Sequence, residues 1–247
     1  MRILILSDIH ANWPALQAVL AAEPDRDGVI CLGDLVNYGP HPARCVRWAS
    51  IHVSTDWIVQ GNHDRALGCA EDPRCSAAYR SLAAAMQPYT AGRLNETAKG
   101  YLAALPGCQT NSIGHARFFL CHAVPSDPCY GYLQPEDSAD RWKREVHTAG
   151  TPNFLLVGHT HRPFVRRIDS TMIVNPGSVG QPKDGDPRAA YAIWDDGHVR
   201  LCRAVYDIEA VARDLVDRAP PEVAQALAGI LRTGGTLASE TANDPTP

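Results

Sequence analysis

Apolar residues in the first sixty positions fall into short continuous runs separated by stretches with helical spacing. Residues 2–6 hold the run Ile3-Leu4-Ile5-Leu6, and an apolar run of this length bounded by polar residues is the mark of a strand buried on both faces. Residues 12–22 then show helical spacing, with Pro14 in the first turn, where a missing N–H breaks no bond. A second strand is predicted over 28–32, a helix over 42–49 and a third strand over 56–60. Strands alternating with helices imply a partly parallel sheet covered on both faces.

Beyond this the pattern turns helical and Ala-rich, which predicts a helical insertion around 66–106 with helices over 76–86 and 95–105. Strand-like runs return over 117–121, 154–157, 163–168, 171–174, 189–194 and 198–205, interrupted by one helix over 135–148. Two β-rich halves, each with helical cover, predict an α/β fold with two sheets packed face to face and flanked by helices. Residues 207–231 read as a closing helical segment broken near Pro220 and Pro221. Residues 233–247 are polar and aperiodic and are expected to be disordered, leaving a single domain over 1–232.

Composition narrows the function. The chain has 247 residues and a formal net charge of −4, from 23 Lys+Arg against 27 Asp+Glu. A protein that binds a nucleic-acid polymer through its phosphates carries a basic excess, and none is present. No apolar run approaches the roughly 18 residues of a membrane span, and the four apolar residues after Arg2 are too few for a signal-peptide core. The compartment expected is the cytoplasm, with no membrane partner. Eight cysteines without a CxxC pair are expected to be free thiols, Cys69 and Cys75 included.

The candidate chemistry lies at the predicted strand ends, in five clusters: Asp8-Ile9-His10, Gly33-Asp34, Gly61-Asn62-His63-Asp64, Cys121-His122 and Gly158-His159-Thr160-His161. Ligands of open α/β sheets bind beyond the carboxyl ends of strands, and a glycine beside an acid lets backbone approach an ion closely. Five of the ten histidines fall in these clusters; His41, His52, His115, His147 and His198 read as surface or turn residues. Mixed Asp, His and Asn donors suit a borderline or hard divalent ion, and their number suits two. Two ions roughly 3.5–4 Å apart clamp a phosphoryl group and acidify a water, so the reaction class expected is hydrolysis of a phosphate ester or anhydride.

In this order and combination the five clusters resemble the calcineurin-like metallophosphoesterases. Ser7-Asp8-Ile9-His10-Ala11-Asn12 and Asn175-Pro176-Gly177-Ser178-Val179-Gly180-Gln181-Pro182 resemble its small bacterial and archaeal branch of phosphodiesterases and diadenosine polyphosphate hydrolases. The resemblance implies a four-layer αββα sandwich of two mixed sheets. It also implies that Asp8, His10, Asp34 and His161 hold one transition-metal ion and Asp34, Asn62, His122 and His159 another, with Asp34 bridging. The ions would be divalent or trivalent Mn, Fe, Zn, Ni or Co. His63 would act on the substrate phosphate, and Asp64 would hydrogen-bond its imidazole and raise its pKa.

Two departures shape the substrate expectation. The arginine that follows the Gly-Asp cluster in protein phosphatases and symmetrically cleaving dinucleotide hydrolases is missing from Gly33-Asp34-Leu35-Val36-Asn37-Tyr38-Gly39-Pro40, and Ala123 follows His122 where many relatives have glycine. The expected substrate is a small phosphodiester or phosphoanhydride, foremost a dinucleoside polyphosphate; the alternatives are a phosphomonoesterase or protein phosphatase, and a non-catalytic metal-binding scaffold of the same fold. A homo-oligomer is compatible with all of these. Arg65, Asn37 and Tyr130 are the substrate-binding candidates. Tyr130 and Tyr132 also read as ordinary loop tyrosines, and Arg162, Arg166 and Arg167 as a solvated strand face.

Overall fold

In the computed structural model, which describes residues 1–235, two mixed sheets pack face to face. In the first, β1 (Arg2–Leu6) runs parallel to β2 (Gly28–Cys31) and antiparallel to β8 (Ala189–Asp195), which pairs with β9 (His198–Ala204). The second has the order β3 (Cys108–Ile113), β4 (Ala116–Cys121), β5 (Phe154–Leu156), β7 (Thr171–Asn175), β6 (Phe164–Ile168), with β4, β5 and β7 mutually parallel.

Strand periodicity sorts the core into layers. Ile3 and Ile5 join Ile30, Phe118, Leu120, Phe154, Leu156 and Trp194 between the sheets, while the alternate residues Leu4 and Leu6 belong to the helical side. There they meet α1 (Trp13–Ala22), α2 (Pro42–His52), α7 (Ile208–Arg218) and α8 (Pro221–Thr233). On the far side α6 (Ala139–Thr148) lays Trp142 and Val146 on Leu155, Val157 and Ile173 of the second sheet. The four-layer αββα order expected from the sequence is the one observed. Burying one large side chain in such a layer contributes roughly 1.5–3 kcal/mol.

Differences from expectation have local causes. The predicted strand over 56–60 is a 3₁₀ turn, Thr55–Trp57, followed by a single parallel bridge from Ile58 to Cys31. The Gln60 amide donates to the Pro106 carbonyl instead of extending the ladder. β3 escaped detection because Gln109, Thr110, Asn111 and Ser112 show no apolar alternation, which an edge strand paired on one side does not need. The segment 66–106 belongs to a run of three helices, α3 (Asn62–Cys69), α4 (Ala77–Ala91) and α5 (Glu96–Ala104). These bury Leu67, Tyr79, Met86 and Leu102 in the same core as α1 and α2. At the C-terminal end, α8 extends through Thr233 and stops at Gly234 in left-handed conformation (φ 58°); the remaining tail, 236–247, lies outside the described residues. All eight cysteines are free. No helix among the described residues is long and apolar enough to cross a membrane.

Candidate metal centre

The loops that leave β1, β2, β4 and β5, together with the first turn of α3, converge where the carboxyl ends of the two sheets meet. All seven candidate donors, Asp8, His10, Asp34, Asn62, His122, His159 and His161, are brought together there and buried. Five of them have left-handed backbone: Asp8 (φ 53°), His10 (44°), Asp34 (56°), His159 (66°) and His161 (58°). Each such non-glycine residue costs on the order of 1–3 kcal/mol, so the surroundings must enforce it. The Asp8 amide donates to the Gly33 carbonyl (3.1 Å), that of His10 to the Asp34 carbonyl (2.9 Å) and that of Gly180 to the Asp8 carbonyl (3.0 Å). Asn175 fastens the His159 loop by donating to the Gly158 carbonyl (2.8 Å) and Thr160 Oγ1 (3.0 Å).

Hydrogen bonds to the outer ring nitrogens fix the inner ones. Nδ1 of His10 donates to the Val36 carbonyl (3.0 Å), Nδ1 of His161 to that of Gln181 (2.6 Å) and Nδ1 of His122 to that of Leu32 (2.7 Å). Three Nε2 atoms therefore face inward. Nε2 of His10 and of His161 lie 3.2 Å apart. Nε2 of His122 lies 3.1 Å from both Nδ1 of His159 and Oδ1 of Asn62. Asn62 is oriented by its amide donating to the Pro73 carbonyl (2.7 Å), which leaves Oδ1 pointing inward.

The donors form two groups. Asp8, His10 and His161 each offer an atom within 4.8 Å of the others, and so do Asp8, Asp34 and His122. Asp8 Oδ1 lies 3.3 Å from His161 Nε2 and 4.0 Å from His122 Nε2, while Asp34 Oδ2 lies 3.3 Å from His122 Nε2 and 3.7 Å from His10 Nε2. Both carboxylates reach both groups, where the resemblance singled out Asp34. The donor set fits cations. Asp8 Oδ1 and His159 Nε2 are buried without a hydrogen-bond partner, an arrangement that is costly unless something else satisfies them.

Electrostatics points the same way. Burial pushes His10 down to about 3 and holds His159 and His161 well below the usual range, so these rings are neutral with lone pairs available. Burial, with Asp34 adding to it, pushes Asp8 up to about 6. Burial opposes a proton on His122, yet the facing Asp34 carboxylate lifts it to about 9. That proton occupies a position for which a metal ion competes.

This donor geometry coincides with a family match over residues 1–196 to the calcineurin-like phosphoesterase superfamily domain. The chain belongs to that superfamily. By class it is a metal-dependent phosphoric-ester hydrolase. It is 32% identical over 240 residues to an uncharacterized protein of Methanocaldococcus jannaschii, covering 89% of this chain and 94% of that one. It is 25% identical over 206 residues to the phosphodiesterase YfcE of Escherichia coli, covering 79% and 88%. Among solved structures it is similar to a metallophosphoesterase from Sphaerobacter thermophilus, with TM-score 0.78 and 31% identity over 95% of this chain and 99% of that one.

Four side chains are placed differently from what the sequence led one to expect. Asp64 does not bond the His63 ring. Its carboxylate accepts the amides of Asp34 (2.7 Å), Leu35 (2.8 Å) and Gly61 (3.1 Å), which ties the first turn of α3 to the loop after β2. The partner of His63 Nδ1 is the Asn37 amide nitrogen (2.9 Å), and Asn37 is fully buried, out of reach of a substrate. Arg65 is held by two bonds to Glu71 (2.8 and 3.0 Å), and Tyr130 directs its hydroxyl to the same carboxylate (3.5 Å). Neither is among the residues that line the recess opening on the donors. What lines that recess, besides the cluster, includes Tyr38, Tyr79, Tyr132 and Lys183.

The glycine of the third cluster is constrained by contact rather than by φ. A Cβ at Gly61 would run into Asp34 Oδ1 and the Asp34 amide. Gly61→Ala is expected to lower metal content and to destabilise the fold by about 1–3 kcal/mol, checked by denaturant unfolding alongside metal analysis.

Proposed function

We propose that this superfamily member is a cytoplasmic two-metal phosphoesterase that hydrolyses a phosphodiester or phosphoanhydride of a small nucleotide-like substrate, foremost a dinucleoside polyphosphate. One observation carries the reading: buried lone pairs of Asp and His converge in two groups joined through Asp8, with Asp34 Oδ2 3.7 Å from His10 Nε2 and Asn62 Oδ1 3.1 Å from His122 Nε2. In this reading Asp8, His10, Asp34 and His161 hold one ion, and Asp34, Asn62, His122 and His159 the other. Mn, Fe, Zn, Ni and Co all suit such donors. Eight free thiols suit a reducing compartment.

Bound there, two such ions supply Lewis-acid polarisation of a phosphoryl group and an acidified water. The chain's own residues do the rest. The Nδ1–H bonds to Val36, Leu32 and Gln181 hold three imidazoles in the tautomer that offers Nε2. His63 receives the Asn37 amide at Nδ1, so its proton is on Nε2, where the neutral ring would offer a hydrogen bond to the leaving oxygen and stabilise its developing charge. Tyr38 packs edge-on against His63 and His10 (ring centroids 4.8 and 4.9 Å) and shields both rings from water. Similarity to YfcE favours a diester over a monoester.

The test compares bis-p-nitrophenyl phosphate with p-nitrophenyl phosphate in defined Mn²⁺ or Ni²⁺, followed by diadenosine tetraphosphate. The diester is expected to be the better substrate by kcat/KM, and a hundredfold preference for the monoester would overturn the choice.

A further inference from the structure

The recess over the donors is lined by His63, His159 and His161 of the cluster and by Tyr79, Tyr132 and Lys183. Lys183 is the one Lys or Arg among the described residues that line it. Its Nζ lies 3.6 Å from the centroid of the Tyr79 ring, a cation–π contact that aims a flexible ammonium across the recess. Tyr132, 41% exposed, packs at a tilt of 41° against His159 with ring centroids 4.1 Å apart and forms a second aromatic wall.

The chain just before Lys183 is fastened to the donors themselves. The Gln181 carbonyl accepts His161 Nδ1–H (2.6 Å), and the Gln181 amide donates to Ser178 Oγ (2.7 Å), which in turn donates to the Asp8 carbonyl (2.7 Å). A Cβ at Gly180 would strike the Ile9 carbonyl, so the loop lies directly on the Asp8 segment. Lys183 thus starts two residues from a point fixed to His161.

Resting on the phosphoesterase reading above, we infer that Lys183 is a phosphate-binding residue, whose ammonium takes a non-bridging oxygen of the substrate phosphoryl group in the recess. The Gly33-Asp34 run carries no arginine for this task, and Arg65 is engaged on both of its bonding edges by Glu71. An ammonium offers three donors on a long stem and grips phosphate as a point charge, which tolerates both diesters and longer phosphate chains.

Inorganic phosphate is the probe, measured by calorimetry on the metal-loaded protein and as a competitive inhibitor of bis-p-nitrophenyl phosphate hydrolysis. Lys183→Ala and Lys183→Gln are expected to weaken phosphate binding and raise KM at least tenfold, with a smaller change in kcat and with metal content and Tm kept. Lys183→Arg is expected to recover most of the affinity. Phosphate affinity and KM within twofold of wild type in both neutral variants, beside an active wild type, overturn the role of Lys183 and leave the phosphoesterase reading standing. A metal-loaded wild type that neither binds phosphate nor hydrolyses a phosphoester overturns both. Loss of metal in both neutral variants, not recovered by Lys183→Arg, makes Lys183 a structural residue and overturns the inference.

Discussion

His63→Ala is expected to lower phosphodiester turnover by about 10²–10⁴ while metal content stays near wild type. The hydrogen bond that ties residue 63 to the donors is made by its backbone amide, which donates to Asp34 Oδ1 (2.9 Å), while the ring itself only packs edge-on against His10 (centroids 5.3 Å), so the donors keep their hydrogen bonds when the imidazole is removed. Its side chain is set by Asn37, whose own orientation is fixed twice: Oδ1 accepts the Tyr38 amide (3.0 Å) and Nδ2 reaches the Ala83 carbonyl (3.5 Å). The ring is therefore a neutral donor through Nε2, in keeping with burial pushing His63 down to about 4. Asn37→Asp places a carboxylate opposite Nδ1, raises the imidazole pKa and brings into the pH–rate profile a titration that wild type lacks. Steady-state kinetics with metal analysis checks this; metal lost together with activity in His63→Ala would show that His63 holds the site together instead.

Chelation is expected to abolish turnover and to lower Tm at the same time, both restored by Mn²⁺. Asp8 and Asp34 are buried carboxylates facing one set of imidazoles, and burial already pushes Asp8 up to about 6. A cation binding only the native state at a hundred times its Kd adds about 2.7 kcal/mol, or roughly 5–10 °C in a domain of this size. Differential scanning fluorimetry of EDTA-treated protein, with Mn²⁺ titrated back, reads the shift. Full activity in excess EDTA with no metal retained sinks the two-metal reading. Asp34→Asn is expected to reproduce the chelated state in both respects.

The site was legible because its chemistry is written in residue types that rarely coincide. Asp8-x-His10, Gly33-Asp34, Gly61-Asn62-His63-Asp64, His122 and His159-x-His161 each sit at the end of a recognisable strand or helix start. The alternation of strand-like runs with helical stretches announced the layered α/β architecture as well, although which of Ile3, Leu4, Ile5 and Leu6 faces which layer is settled only by the fold. What stayed hidden depends on pairings that no local pattern records. Arg65 looked available until the turn around Ala70 and Arg74, both in left-handed conformation, brought Glu71 against it. Asn37 and His63 are 26 residues apart, and their bond exists only because Asp64 clips the two loops together. β3 lacks an apolar face to announce it. Lys183 is one lysine in a loop, and the nearest signal was the run from Asn175 to Pro182 that precedes it.

Five of the seven donors occupy backbone that glycine would adopt without strain. Exchanging one of them for glycine relieves local backbone strain but also removes a ligand, and at Asp8 or Asp34 it removes the carboxylate that accepts the His159 or His63 amide. The cost of the five left-handed positions is thus carried jointly by the loop contacts and by whatever ion the side chains hold, and it falls on the loops alone when that ion is taken away.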